Sequence, residues 1–372
     1  MDLQKVFEVI IEKIRKSLDV KDFPHITNKG KWETTFDGFW TGGFWIGLLW
    51  LAYERNKEES FKKQAYLWLN RLETRKRSIT FDLGFLFYPS FVLGYKLTSD
   101  PKLKEVALEA SNTLLKTYDE RFGFIYEEII EEKKRIGRVI IDIMLNLPLL
   151  WWAFEETKNK KYYNPTYTHS KNTIKELIRD DYSTIQGFNY DFEKLEILEK
   201  RTFQGINVNS CWSRGQAWGL YGYILAYNYT KDNEFLKVAE NLAQYFIFNL
   251  PSDYIPYWDF NAPDTNTKLR DSSAAAIASS GLFDLYIHTK KDLYKDSAIK
   301  IIKSLFENYL TNKNEYGILT EGCFHKNKNL GLKESLIWGD YYFFEGLLKL
   351  YEISEGRPTS INFFNLNEKK IK

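Results

Sequence analysis

Two aspartates stand out by residue type and context as able to do chemistry. Asp142 lies in the run Val139-Ile140-Ile141-Asp142-Ile143-Met144-Leu145, a carboxyl group with aliphatic neighbours on both sides. Such surroundings disfavour the charged form, and a second carboxylate nearby acts in the same direction. A carboxylic acid that stays protonated near neutral pH is a general acid. The competing explanation is an N-cap ahead of a buried helix, but the Ile-rich run before it carries no turn chemistry. Asp82, in Ile79-Thr80-Phe81-Asp82-Leu83-Gly84-Phe85, is the natural second carboxylate, with helix capping as an equally good structural explanation.

A third signal is Cys211-Trp212-Ser213-Arg214-Gly215-Gln216-Ala217-Trp218, which sets an arginine between two tryptophans at the start of an apolar helix. A guanidinium there suits two-pronged capture of a substrate carboxylate. Indole faces suit the apolar C–H faces of a sugar ring, whose hydroxyls need hydrogen bonds at the rim. The chain holds 11 Trp, 25 Tyr and 27 Phe, 17% of its residues. Most of these rings serve as core, and those beside polar motifs are candidate sugar platforms. Other chemistries lack their patterns. His25, His169, His288 and His325 have no metal-ligand spacing, no glycine-rich phosphate loop occurs, and no serine sits in a nucleophile elbow. No metal or cofactor is expected.

The elements that must position these residues follow from helical periodicity. Six amphipathic stripes, such as Phe61, Ala65, Trp68 and Leu72, alternate with six segments that are apolar nearly all round: 42–53, 82–97, 140–154, 212–229, 272–288 and 336–351. A helix apolar on every side is buried on every side. Strict alternation predicts two concentric rings of antiparallel helices, an all-α (α/α)6 barrel. In that topology the inner helices run parallel and their N-termini converge at one end. Asp82, Asp142, Arg214 and Asp271 begin the second to fifth inner segments, and Glu334 and Asp340 flank the sixth, so that end gathers the polar residues. For Asp271, capping and substrate contact are equally good explanations. Strand signals are sparse, but the long connections 30–41, 121–139, 180–211 and 251–270 are functional-loop candidates, and Gly123-Phe124-Ile125-Tyr126 has the alternation of a short hairpin.

No linker or charge block divides the 372 residues, so a single domain spanning 1–372 is expected, with 355–372 as an irregular tail. The 52 Lys and Arg against 50 Asp and Glu leave a net charge of +2 without a basic stripe, which argues against nucleic acid as a partner. Cys211 and Cys323 are too few for a disulfide framework, no signal peptide opens the chain, and no segment has the length of a membrane span. A cytoplasmic protein without a membrane partner is expected.

At the level of motifs the chain resembles glycoside hydrolase family 88, the unsaturated glucuronyl hydrolases, over almost its full length. The resemblance rests on Trp40-Thr41-Gly42-Gly43-Phe44-Trp45, Asp82-Leu83-Gly84-Phe85, Ile141-Asp142 with Asn146-Leu147-Pro148-Leu149-Leu150, Trp212 to Trp218, Tyr257-Trp258-Asp259-Phe260, Arg270-Asp271-Ser272-Ser273-Ala274 and Ile337-Trp338-Gly339-Asp340-Tyr341-Tyr342. It implies the (α/α)6 fold and hydration of the C4=C5 vinyl ether that polysaccharide lyases leave on a terminal uronic acid, after which the hemiketal collapses and releases the sugar. The substrates implied are unsaturated uronic-acid-containing oligosaccharides of glycosaminoglycan type. By the same resemblance Asp142 is the general acid and base, Asp82 its assistant, and Trp40, Gln204, Trp212, Arg214 and Trp218 bind substrate. The family commonly has histidines where this chain has Phe81 and Gln186. His325 is a further candidate for a sugar contact, with an ordinary loop histidine as the alternative. Lys326, Lys328 and Lys333 are read as a solvated basic loop, with a sulfate contact as the less favoured alternative. The rival functions are an unsaturated rhamnogalacturonyl hydrolase acting on pectin fragments, an inverting glycosidase, and a noncatalytic glycan-binding protein.

Overall fold

The structure, a computed structural model, describes residues 2–131, 135–262 and 269–356. Of the expected tail over 355–372, residues 357–372 lie outside the described residues. Amphipathic and apolar helices alternate as the periodicity requires. The amphipathic set is α1 (Leu3–Lys16), α3 (Glu59–Leu72), α6 (Pro101–Leu114), α8 (Lys160–Leu177), α10 (Asn233–Phe248) and α12 (Asp292–Asn308). Each buries one stripe and leaves the opposite face wet, as with Phe61, Ala65, Trp68 and Leu72 on α3.

The apolar set forms the inner ring: α2 (Gly42–Asn56), the pair α4 (Leu83–Phe87) and α5 (Leu93–Thr98), α7 (Pro148–Thr157), α9 (Ser213–Thr230), α11 (Ser272–Thr289) and α13 (Ile337–Ser354). Each packs on the next, and α13 returns to pack on α2, so the ring closes. This is the (α/α)6 toroid. Its interior is dense with large rings, and Trp45, Trp50, Trp151, Trp152, Trp218 and Trp338 are all fully buried. Lys349 is buried there too. Lys349 Nζ lies 2.8 Å from Asp284 and 3.4 Å from Glu345, and donates to the Tyr221 hydroxyl at 2.7 Å. Such a cluster is tolerable in a dry core only because each charge has an opposite partner.

The two ends of the barrel are unlike. At one end, inner helices turn into outer ones within a few residues, at Lys57, Ser99, Lys158, Lys231 and Lys290. Each of these adopts the left-handed conformation and closes its N–H on the carbonyl four residues back. At the other end the chain takes long connections from outer to inner helices, and among the described residues these carry ten short strands. The strands β1 (Phe23–Asn28) and β2 (Lys31–Thr35), β3 (Tyr118–Asp119) and β4 (Phe124–Ile125), and β9 (Gly322–His325) and β10 (Leu330–Glu334) pair as two-stranded units. The strands β5 (Glu128–Glu131), β6 (Ile136–Ile140), β7 (Gly187–Asp191) and β8 (Glu196–Arg201) form one antiparallel sheet in that order. The hairpin expected around Phe124 is β3–β4.

Two inner segments differ from the sequence expectation. The second is not one helix, because a π turn over Tyr88–Val92 separates α4 from α5. Pro89 lies in that turn, and its missing N–H and bulky ring interrupt a regular ladder. The third does not begin at residue 140: β6 runs to Ile140, a 3-10 turn spans Ile141–Leu145, and the helix starts only at Pro148. No helix among the described residues is long and apolar enough to cross a membrane.

Candidate active site

The inner N-termini and the long connections enclose a cavity of about 630 Å³. Asp142 reaches it because β6 continues toward the 3-10 turn with a period of two, which puts Arg138, Ile140 and Asp142 on the cavity wall together. The N–H of Ile141 donates to the Gln186 carbonyl at 2.8 Å and extends the pairing of β6 with β7. Asp82 comes from the turn just before α4 and also lines the cavity, where its carboxylate accepts from the Thr80 hydroxyl at 3.2 Å. Asn146 ties the two segments together: its side-chain oxygen accepts from the Phe85 N–H at 2.7 Å, and its amide donates to the Asp142 carbonyl at 3.4 Å.

Burial pushes the Asp142 carboxyl up to about 6. The Arg214 charge, its own backbone N–H and the Trp218 indole offset only part of that effect. Asp142 Oδ2 is buried with no hydrogen-bond partner. Asp82 is raised well above the usual carboxylate range, first by burial and then by the neighbouring charges of Glu127 and Asp142, against the Thr80 hydrogen bond and the Arg75 charge. Sequence reasoning missed Glu127. It lines the same cavity, and burial pushes it up to about 7 against the Arg138 guanidinium, whose nearest nitrogen is 3.5 Å away. Arg138, also missed, stacks its guanidinium 4.1 Å from the centre of the Phe203 ring. The two-residue alternation of Arg138, Ile140 and Asp142 was the available signal, hidden by the aliphatic run.

Arg214 lies in the first turn of α9 and is only 2% exposed. Its Nη1 bonds Asp271 at 2.5 Å and the Cys323 carbonyl at 2.7 Å, and its Nη2 donates to the Phe324 carbonyl at 2.7 Å. Three of its five N–H groups are thus held by the protein. The remaining edge belongs to a side chain that lines the cavity. Trp212 does not line it. Its ring packs 4.6 Å from the Arg214 guanidinium, so it supports the arginine instead of offering a sugar platform. Asp271 caps α11 through Ser273 N–H and is fully buried, and Asp340 accepts the N–H groups of Ile318 and Leu319. Both are scaffold.

Trp40 and Trp218 do reach the cavity, joined by Phe81 and Phe85, with Trp218 and Phe85 ring centres 5.2 Å apart. Gln204 is on the wall, but its amide is occupied: Nε2 donates to the Phe324 carbonyl and Oε1 accepts from Gln186. Gln186 Oε1 accepts from the Thr202 hydroxyl and from the N–H groups of Phe203 and Gln204, so this residue folds the loop over the cavity. His325 lines the cavity with Asn327 and Lys328. Its Nδ1 is buried without a partner, and burial with the Lys328 and Arg214 charges lowers the imidazole pKa. Among the described residues no group of three or more His, Cys, Asp or Glu is arranged to hold a metal ion.

No protein-family model matches the chain. It is 35% identical to the unsaturated chondroitin disaccharide hydrolase of Streptococcus pneumoniae, over 94% of this chain and 92% of that one. It is 38% identical to the unsaturated glucuronyl hydrolase of Formosa agariphila, over 83% and 79%. The chain belongs to the unsaturated glucuronyl hydrolase family. The crystal structure of the Bacillus sp. GL1 unsaturated glucuronyl hydrolase, responsible for the degradation of glycosaminoglycan, matches with a TM-score of 0.90 at 30% identity. That match covers 96% of this chain and 97% of the other. As a member of the family the protein is a glycosidase, and its toroid is the fold of its relatives.

Proposed function

We propose that this glucuronyl hydrolase hydrates the C4=C5 double bond of the unsaturated uronic acid at the nonreducing end of lyase-generated, glycosaminoglycan-type oligosaccharides. The observation that carries this reading is the Asp142 carboxyl, protonated in appreciable part near pH 6, with one oxygen unpartnered in a cavity shared with Arg214 and two tryptophans. The neutral acid gives its proton to C4, and positive charge develops at C5 and the ring oxygen. Water then adds to C5 and loses its proton to the Asp142 carboxylate, which restores the acid. The hemiketal formed at C5 opens, and the former glycosidic partner leaves with its hydroxyl.

The other groups have roles that follow from their places. Arg214 offers its free edge to the uronate carboxylate, Trp40 and Trp218 face the sugar ring, and Asp82 holds sugar hydroxyls. Lys328 and Asn327 at the rim meet the sugar that follows the uronide, where an ammonium suits a sulfated residue. The test is loss of the near-ultraviolet absorbance of an unsaturated chondroitin disaccharide, run in heavy water. Deuterium at C4 of the released keto acid is expected, together with no action on the saturated glucuronide. A conventional glycosidase attacks C1 and does not need the double bond, and the enol it would release also takes deuterium at C4, so cleavage of the saturated compound, or heavy oxygen from labelled water at C1 instead of C5, overturns the mechanism.

A further inference from the structure

Phe39, at the mouth of the cavity, has a geometry that its neighbours enforce. It follows Gly38 (φ +85°) and itself has φ +45°, the left-handed region that a bulky residue rarely occupies. Its N–H donates to Asp37 Oδ1 at 2.9 Å, and its carbonyl accepts from Arg75 Nη1 at 3.0 Å. Arg75 also grips Asp37 Oδ2 at 2.7 Å and bonds the Ser78 hydroxyl through Nε at 3.1 Å. This clamp presents a phenyl ring that is 50% exposed on the cavity wall, touching His25 edge to face at 5.5 Å. Core packing gives no reason for that exposure, and strain of this kind persists where surroundings over-determine it, commonly at ligand sites. Trp40 lies next in the chain, is half-buried, and its ring packs on Trp338 and Phe85. The two aromatic surfaces therefore lie at successive depths.

Resting on the hydration reading, we infer that Phe39 is a specificity-determining platform for the leaving sugar, the pyranose attached to the unsaturated uronide. An exposed ring face at the mouth matches the apolar C–H face of a pyranose there. The experiment compares kcat/KM for an unsaturated chondroitin disaccharide with that for the methyl glycoside of the unsaturated uronide, which has no second ring. Phe39→Gly removes the platform and relieves the backbone, because glycine adopts positive φ freely. The disaccharide-to-methyl ratio is expected to fall roughly three- to tenfold, through KM, with the thermal midpoint at or above that of the wild type. Phe39→Trp is expected to hold the ratio. An unchanged ratio in Phe39→Gly, or equal losses on both substrates with a lowered midpoint, overturns the platform alone. A wild-type enzyme that consumes neither compound overturns the hydration reading and the platform with it.

Discussion

A β-carbon on Gly84 would lie 2.2 Å from the carbonyl oxygen of Asn146 and 2.3 Å from its α-carbon. The backbone that carries Asp82 therefore lies directly against the backbone that follows Asp142, and only glycine permits the contact. Gly84→Ala is expected to force the segments apart and lower kcat by on the order of 100-fold, the scale for a misplacement of about 1 Å. Gly94→Ala meets the Trp50 ring at 2.8 Å, remote from the cavity, and is the control. It should lower the thermal midpoint while keeping kcat. Comparable kcat losses in both variants would show that Gly84 serves the barrel and not the site.

Asp142→Asn keeps the shape of the side chain but has no proton to transfer. Its kcat is expected to drop on the order of 100- to 10,000-fold while disaccharide binding, followed by calorimetry, persists. The same variant should be more stable than the wild type at pH 7 to 8. The folded-state pKa of about 6 lies above the ordinary 3.8, so folding favours the protonated form. The resulting penalty is absent below about pH 4 and complete above about pH 6, on the order of 2–3 kcal/mol. Urea unfolding at pH 4 and pH 8 checks the sign: the gap between variant and wild type must widen with pH.

The acid form of Asp142 begins the reaction, so kcat/KM should fall as pH rises through about 6. A profile that instead climbs through this range would mean that the carboxylate, not the acid, acts first.

Arg214→Ala removes a cation that lowers the Asp142 pKa, so the falling limb should move to higher pH as KM rises. It also strands Asp271, which is fully buried, and breaking such a pair costs about 3–5 kcal/mol. Arg77→Ala, at a side chain 78% exposed, should stay within about 0.5 kcal/mol. Chemical denaturation separates the two, and an unmoved limb in Arg214→Ala would remove the arginine from the site.

The barrel was legible in the sequence because burial on all sides leaves a direct mark: α9 and α11 carry hardly a charged residue over eighteen positions. The convergence of Asp82, Asp142 and Arg214 at one end followed from topology, while Trp40 and Trp218 were named as binding residues by the family resemblance. What escaped was local. Ile136–Ile140 reads as aliphatic whether it is a strand or the start of a helix, so the two-residue period that aligns Arg138 with Asp142 was invisible, and Glu127 with it. Trp212 and Trp218 look alike in sequence. Only the direction of each ring distinguishes the one braced on Arg214 from the one that meets the cavity.

The closure of α13 on α2 makes the catalytic centre a property of the finished circle. The wall of the cavity draws on residues from Phe39 to Lys328, and Trp40 on that wall packs against Trp338 of the last inner helix, with 4.7 Å between ring centres. A nascent chain emerging from the ribosome can stack helix hairpins one by one, yet it has no working acid until Ile337–Ser354 arrives. Synthesis interrupted before that helix should yield protein with helical content and no turnover, and a circularly permuted chain opened at one of the tight turns such as Lys231 should regain both, because a ring has no structural first residue.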